Sequence, residues 1–247
     1  MRQMHNLIPS FSFNPVKYDF WEIYERIKKF YPVGILRDDT GFYNTYPGLK
    51  EMETIITDNI HNDKHFKKRW ESFTEEIKIK TGKKIVGTTY GQAPSFSSYI
   101  ELEKGTSNGM RRLKELHFFV SLLGNFYTVI GQDRNEIKTE KTIFRTTNYL
   151  IVSPENEFEE TFNILCEQIE DRFTGYRFIP FHICVQKITG LDVRFSSEVQ
   201  DFIFSALFNS NIDLGGRIVG NVYYKADDWI KEGYIDDGHG WTIYPPQ

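Results

Sequence analysis

The spacing of hydrophobic positions changes period along the chain. Asn14-Pro15 reads as an N-cap followed by proline at the first helical position. Phe20, Ile23, Tyr24, Ile27, Phe30 and Tyr31 then recur every three or four residues, and Pro32 and Gly34 stop that helix. Residues 38–41 (DDTG) read as a turn. A second helical stripe follows at Leu49, Met52, Ile55, Ile56 and Ile60, and a third at Phe66, Trp70, Phe73 and Ile77. Asn62-Asp63 separates these two helices, and Gly82 is a natural cap after the later one.

From residue 96 the period becomes two. Phe96, Ser98, Ile100 and Leu102 alternate with Ser97, Tyr99, Glu101 and Glu103, the pattern of a strand with one wet face. Residues 116–123 (LHFFVSLL) are apolar at both parities, which predicts a central strand covered on both sides. Gly124-Asn125 fits a two-residue hairpin turn, with residues 126–131 returning and 142–152 adding another β-rich run. Ser153-Pro154 is placed to cap a helix whose apolar face is Phe158, Phe162, Leu165, Ile169 and Phe173. A short strand is expected over 181–185 and a helix over 196–208, built on Val199, Phe202, Ile203, Ala206 and Leu207. After Gly215 come short strands and turns. Adjacent hairpin-linked strands preceded and followed by helices predict an α+β class: a mainly antiparallel sheet flanked by helices. No repeat, linker or composition shift divides the chain, so 1–247 is read as a single large domain.

Composition sharpens this picture. Aromatic residues make up 16% of the chain, more than one core obviously needs, so some Tyr and Trp are candidates for contact surfaces. The net charge of −4 gives no pull towards nucleic acid or anionic membranes. Residues 1–13 lack the apolar run of a signal peptide, and no stretch is long and apolar enough to span a bilayer. Cys166 and Cys184 are too few for a disulfide framework or a four-cysteine zinc site, which points to a reducing, cytoplasmic compartment.

The motifs for catalysis are thin. His61 and His65 lie four apart, but His61 is followed by Asn62 where a zinc-protease helix carries glutamate. His182 and Cys184 would share one side of a strand, though a cysteine nucleophile also needs its base oriented by a third group. Asp236, Asp237 and His239, in a glycine-bracketed loop, have the donor types for a divalent cation without the spacing of an EF-hand. Residues 87–91 (GTTYG) lack the Gly-Lys-Ser/Thr of a phosphate-binding loop. The basic run Lys64, Lys67, Lys68, Arg69 is interleaved with Glu71, Glu75 and Glu76, as on a solvated helix face. No cofactor is indicated.

The clearest signal is electrostatic. Residues 153–171 contain Glu155, Glu157, Glu159, Glu160, Glu167, Glu170 and Asp171 and no lysine or arginine. Like charges four apart on an exposed helix cost about 0.2–0.5 kcal/mol per pair, so such a face suits either an external partner or lysines brought to it from elsewhere in the fold. The C-terminal segment interleaves Asp227, Asp228, Glu232, Asp236 and Asp237 with Trp229, Tyr234, Trp241 and Tyr244. Acids provide fast, selective encounter and aromatic rings provide anchors. Candidate partner-binding residues are therefore Glu155, Glu159, Glu160, Trp229, Tyr234, Asp236, Asp237 and Trp241. The acidic, aromatic-rich α+β composition and residues 116–131 (LHFFVSLLGNFYTVIG) resemble the immunity proteins that bacteria keep against polymorphic or contact-delivered toxins. The resemblance implies a tight complex in which acidic and aromatic groups occlude a basic active site or groove. Two alternatives stand beside this non-catalytic protein-binding module. One is a metal-dependent hydrolase using His61, His65, Asp237 and His239. The other is a small-ligand or carbohydrate-binding domain with Tyr and Trp as stacking platforms.

Overall fold

The computed structural model describes residues 11–107, 109–138, 142–194, 200–209 and 211–236. Its frame is a seven-stranded sheet built from four long and three short strands. Ahead of the sheet run α1 (Trp21–Phe30), α2 (Thr40–Tyr43), α3 (Pro47–Ile56), α4 (Asp63–Phe66) and α5 (Ser72–Thr81). Two π-helical turns, Thr57–His61 and Lys67–Glu71, extend α3 and lead into α5. The strands β1 (Lys84–Gly87), β2 (Ser95–Ser107), β3 (Met110–Ser121), β4 (Phe126–Lys138) and β5 (Ile143–Ile151) pair antiparallel in chain order. Beyond them come α6 (Glu159–Arg172), β6 (Arg177–Phe178), α7 (Phe181–Cys184), α8 (Ile203–Leu207) and β7 (Arg217–Val219). The short β6 and β7 pair parallel with β4 and β5. This is the expected α+β class with a mainly antiparallel sheet.

The double-sided apolar run has the predicted consequence: β3 lies inside the sheet and both of its faces are covered. Phe119 joins a core formed with α1, α3 and α8, in which Ile23, Ile27, Leu49, Met52 and Phe204 are buried. Its neighbours Leu116, Phe118 and Val120 point the other way, into a core formed with α5 and α6. The same alternation runs through β4, where Phe126 and Ile130 serve the first core and Tyr127 and Val129 the second.

The helical stripes are buried as expected, but several boundaries move. Asn14 does not cap a helix. Its Oδ1 accepts from the N–H of Val16 and Lys17 in a local turn, and α1 starts at Trp21. Asn62 does break the second helix from the third, its side chain accepting from the His65 N–H. Gly82 closes α5 in the left-handed conformation at φ 63°, its N–H donating to the Lys78 carbonyl. The β3–β4 connection is longer than a two-residue turn, spanning residues 122–125. Ser153 likewise does not cap α6, since its hydroxyl accepts from the Asn221 N–H. Residues 181–185 are not a strand: the Pro180 carbonyl accepts from the Ile183 and Cys184 N–H groups and closes a helical turn. Of the helix expected over 196–208, residues Ile203–Leu207 are helical, Phe202 is instead extended and bridged to Lys187, and Val199 lies outside the described residues.

Candidate functional site

The acids of 153–171 separate into two groups once α6 packs. Phe162, Leu165 and Ile169 turn one side of the helix into the second core. Acids at the edges of that side are neutralised internally. Glu157 pairs with Lys114 on β3, and Glu170 pairs with Lys225 while accepting from the Tyr127 hydroxyl. Lys114 holds the Glu157 carboxyl below the usual carboxylate range. Glu155 is half-buried and accepts from the Ser153 hydroxyl at 3.3 Å. Glu159, Glu160, Glu167 and Asp171 are exposed, and among the described residues none has an ion-pair partner.

The Lys225–Glu170 pair brings part of the acidic C-terminal segment to the same side of the molecule. Asp227 and Asp228 follow it in a short 3-10 turn (Ala226–Trp229) and are exposed. Although the residue is exposed as a whole, partial burial of the Asp228 carboxyl holds it above its ordinary range, with Glu170 and Asp227 adding repulsion and Lys225 and Arg177 opposing it. Thus Asp228 lies near enough to Glu170, distant in sequence, for their charges to repel.

Trp229, expected as a surface anchor, is instead fully buried. Its indole N–H donates to the Phe178 carbonyl at 2.7 Å, and its ring lies against Phe20 and Phe126. The Arg177 guanidinium, 3.7 Å from the ring centre, covers it. This residue anchors the N-terminal segment to β6 and cannot serve as a contact without unfolding that corner. Tyr234 is half-buried with the Lys17 ammonium 6.0 Å from its ring, and Asp236 is exposed. Asp237, His239 and Trp241 lie outside the described residues.

The histidine pairs do not converge on a common ligand position. His61 Nε2 donates to the Gly91 carbonyl at 2.7 Å, and His65 Nδ1 donates to the Asp58 carbonyl at 2.9 Å. Among the described residues no three His, Cys, Asp or Glu side chains are grouped for a metal ion. His182 and Cys184 are parted by the helical turn. His182 Nδ1 donates to the Val222 carbonyl, whereas the Cys184 thiol donates towards Thr128 Oγ1 and the Ile179 carbonyl. Burial pushes the Cys184 thiol up to about 12 and the His182 imidazole down to about 4. A thiol so disposed is a packing group rather than a nucleophile.

One polar constellation has no counterpart among the sequence candidates. On the first-core face of the sheet, beyond Phe119 and Ile130, β3 and β4 carry Glu115, His117, Gln132, Arg134 and Glu136 at alternating positions. Arg134 Nη2 donates to Glu115 Oε2 at 2.6 Å, and His117 Nε2 lies 3.3 Å from the same oxygen. Glu136 lies 3.7 Å from Arg134 and 3.8 Å from Arg111. Burial opposes charge on Glu115, yet His117 and Arg134 hold its carboxyl below the ordinary range. Burial outweighs Glu115 at His117 and lowers the imidazole from its ordinary range. The result is an ionic ladder across two strands, suited to fixing register rather than moving a proton. Its signal in the sequence is the spacing Glu-x-His and Gln-x-Arg-x-Glu on the strand parity that also carries Phe119, Phe126 and Ile130.

Compared with known proteins, the chain matches no family model, no curated protein and no solved structure. No helix among the described residues is long and apolar enough to cross a membrane.

Proposed function

We propose that the chain is a non-catalytic, cytoplasmic protein-binding module that docks a basic partner on the exposed face of α6 and the adjoining Asp227–Asp228 turn. An immunity protein occluding a toxin's basic groove is the form of this activity that the sequence resemblance implies. One observation carries the reading. The fold supplies lysines to Glu157 and Glu170 but leaves Glu159, Glu160, Glu167 and Asp171 without an ion pair among the described residues. Glu160, Glu167 and Asp171 lie seven and four residues apart and share one face of α6, so three uncompensated carboxylates line that face. Such a stripe accelerates encounter with a positive surface and disfavours a negative one. Buried, free Cys166 and Cys184 suit a reducing compartment.

The test is affinity capture from lysate of the source organism with the native chain and with a Glu159→Lys/Glu160→Lys variant. A single stoichiometric basic protein should be retained by the native chain, released by high salt and lost from the variant. Capture that survives both the charge reversal and high salt removes α6 as the contact surface. Absence of any stoichiometric protein partner overturns the reading.

A further inference from the structure

Along the chain the basic run Lys64, Lys67, Lys68, Arg69 alternates with glutamates, but the fold separates the two signs. Glu75 pairs with Lys78 at 2.9 Å, and Glu71 and Glu75 line a cleft beside β1. Lys68 and Arg69 belong to the π-helical turn Lys67–Glu71 and line a different cleft, together with the end of α6. There Arg172 is the last residue of the helix, and its Nη2 donates to the Lys68 carbonyl and to Ser72 Oγ, both at 2.9 Å. Gly175, at φ 82°, turns the chain after α6, and the Tyr176 N–H donates back to the Phe173 carbonyl at 3.0 Å. The cleft so formed has a volume of about 380 Å³ and is lined by Lys68, Arg69, Arg172, Phe173 and Tyr176. That volume falls within the roughly 300–1,000 Å³ of small-molecule sites.

The lining selects the chemistry of an occupant. Among the described residues no carboxylate lines this cleft, although the chain as a whole carries a net charge of −4. Lys68 and Arg69 have no ion pair among the described residues, and Arg69 is held by a neutral group, donating to Asn59 Oδ1. Arg172 is partly offset by Glu76 at 3.8 Å and by the C-terminus of α6, whose dipole is equivalent to roughly half a negative charge. Lys68 and Arg69 therefore remain uncompensated, and a cleft lined by one sign of charge concentrates the opposite ion. These groups are within reach of an occupant: Lys68 is exposed, Arg69 is half-buried and the Arg172 side chain is 38% exposed. Two uncompensated cations match a dianion better than a single carboxylate, and a guanidinium presents paired donors to phosphate oxygens. The rest of the wall is aromatic. Tyr176 is half-buried, with its ring 5.4 Å from that of Phe173. Ring surface beside the cations suits a flat group joined to the phosphate, which inorganic phosphate lacks.

We propose that this cleft binds a small phosphate monoester bearing a flat ring, of the nucleoside monophosphate class, with Lys68, Arg69 and Arg172 on the phosphate and Tyr176 against the ring. The site is separate from the acidic α6 face and does not depend on it. The test is a calorimetric titration of the full chain with the four common ribonucleoside monophosphates. The uncharged nucleosides, inorganic phosphate and a short single-stranded oligonucleotide serve as controls. At least one monophosphate should bind saturably, at least tenfold more tightly than its own nucleoside and than inorganic phosphate, and should weaken as salt is raised. Lys68→Glu reverses an exposed charge, and should weaken binding at least tenfold while leaving the thermal transition within a few degrees of the native chain. Lys50→Glu makes the same change of net charge on α3, outside the cleft, and should leave the affinity unchanged. No saturable binding by any of the four monophosphates, or inorganic phosphate or the oligonucleotide binding as tightly as the best of them, would overturn the proposal. So would native affinity in a folded Lys68→Glu protein, or an equal loss in Lys50→Glu.

Discussion

At the scale of single residues, burial decides what a side chain is for. Trp229 sits in an acidic stretch and reads as a surface anchor, yet Phe20, Phe126 and Arg177, all distant in sequence, enclose it. Trp229→Ala should therefore destabilise the fold by about 3–5 kcal/mol, as large-to-small changes of buried aromatics do, measured by urea unfolding. A cost near zero would place the ring at the surface after all. His182 gives a pH signature. Burial pushes its imidazole down from 6.5 to about 4, and the hydrogen bond to the Val222 carbonyl offsets only part of this. Above pH 6.5 the folded and unfolded chains are both neutral at this position. Below it the unfolded chain takes up a proton that the folded chain refuses until about pH 4. Stability should thus fall as pH drops through that window, by at most about 1.4 kcal/mol per pH unit. His182→Gln should flatten this slope relative to the native chain. Parallel pH profiles of unfolding free energy in the two proteins would show that the imidazole is not the group responsible.

At the scale of elements, α6 shows how a helix is seated. Its apolar stripe was legible because Phe158, Phe162, Leu165, Ile169 and Phe173 keep helical spacing, and all five are buried. The depth of its seat was not legible. Gly131 on β4 permits it, since a Cβ there would come within 2.9 Å of Phe158 Cδ1 and of Ile151 Cβ. Gly131→Ala should force the start of α6 away from the sheet and cost about 1–3 kcal/mol, the range for overpacked sites. Unchanged stability on thermal denaturation would mean that the helix stands clear of the strand. The expected strand at 181–185 fails at this same scale. Five mostly apolar residues fit either period, and the Pro180 carbonyl, by accepting two N–H groups, selects the helical turn.

For the whole molecule, the consequence of the double-sided strands is shared support. Phe118 and Phe119 are sequence neighbours buried in different cores on opposite faces of the sheet. Neither core can lose its strand without the other losing it too. Phe118→Ala and Phe119→Ala should each lower one common unfolding transition, by about 3–5 kcal/mol. Two transitions, each sensitive to only one substitution, would mean that the cores are independent. The charge of the molecule also acts at this scale. A net charge of −4 is modest, and it is the local pairing of Lys114 and Lys225 that leaves the remaining acids of α6 as a stripe.

By itself the sequence determined the periods of the long segments: the helical stripes of α1, α3, α5 and α6, and that β3 must be covered twice. Those follow from local geometry, because a repeat of three to four or of two assigns each side chain to a face wherever the segment packs. Only the tertiary structure decided which polar and aromatic groups meet. The enclosure of Trp229, the Glu115–His117–Arg134 ladder and the meeting of Lys68 and Arg69 with Arg172 all depend on pairing between separate segments. The division of one acidic run into paired and unpaired charges has the same origin, since its lysines come from β3 and from the segment after β7. Hydrogen bonds and ion pairs act over a few ångströms, and no pattern along a single strand or helix specifies what another segment brings within that distance.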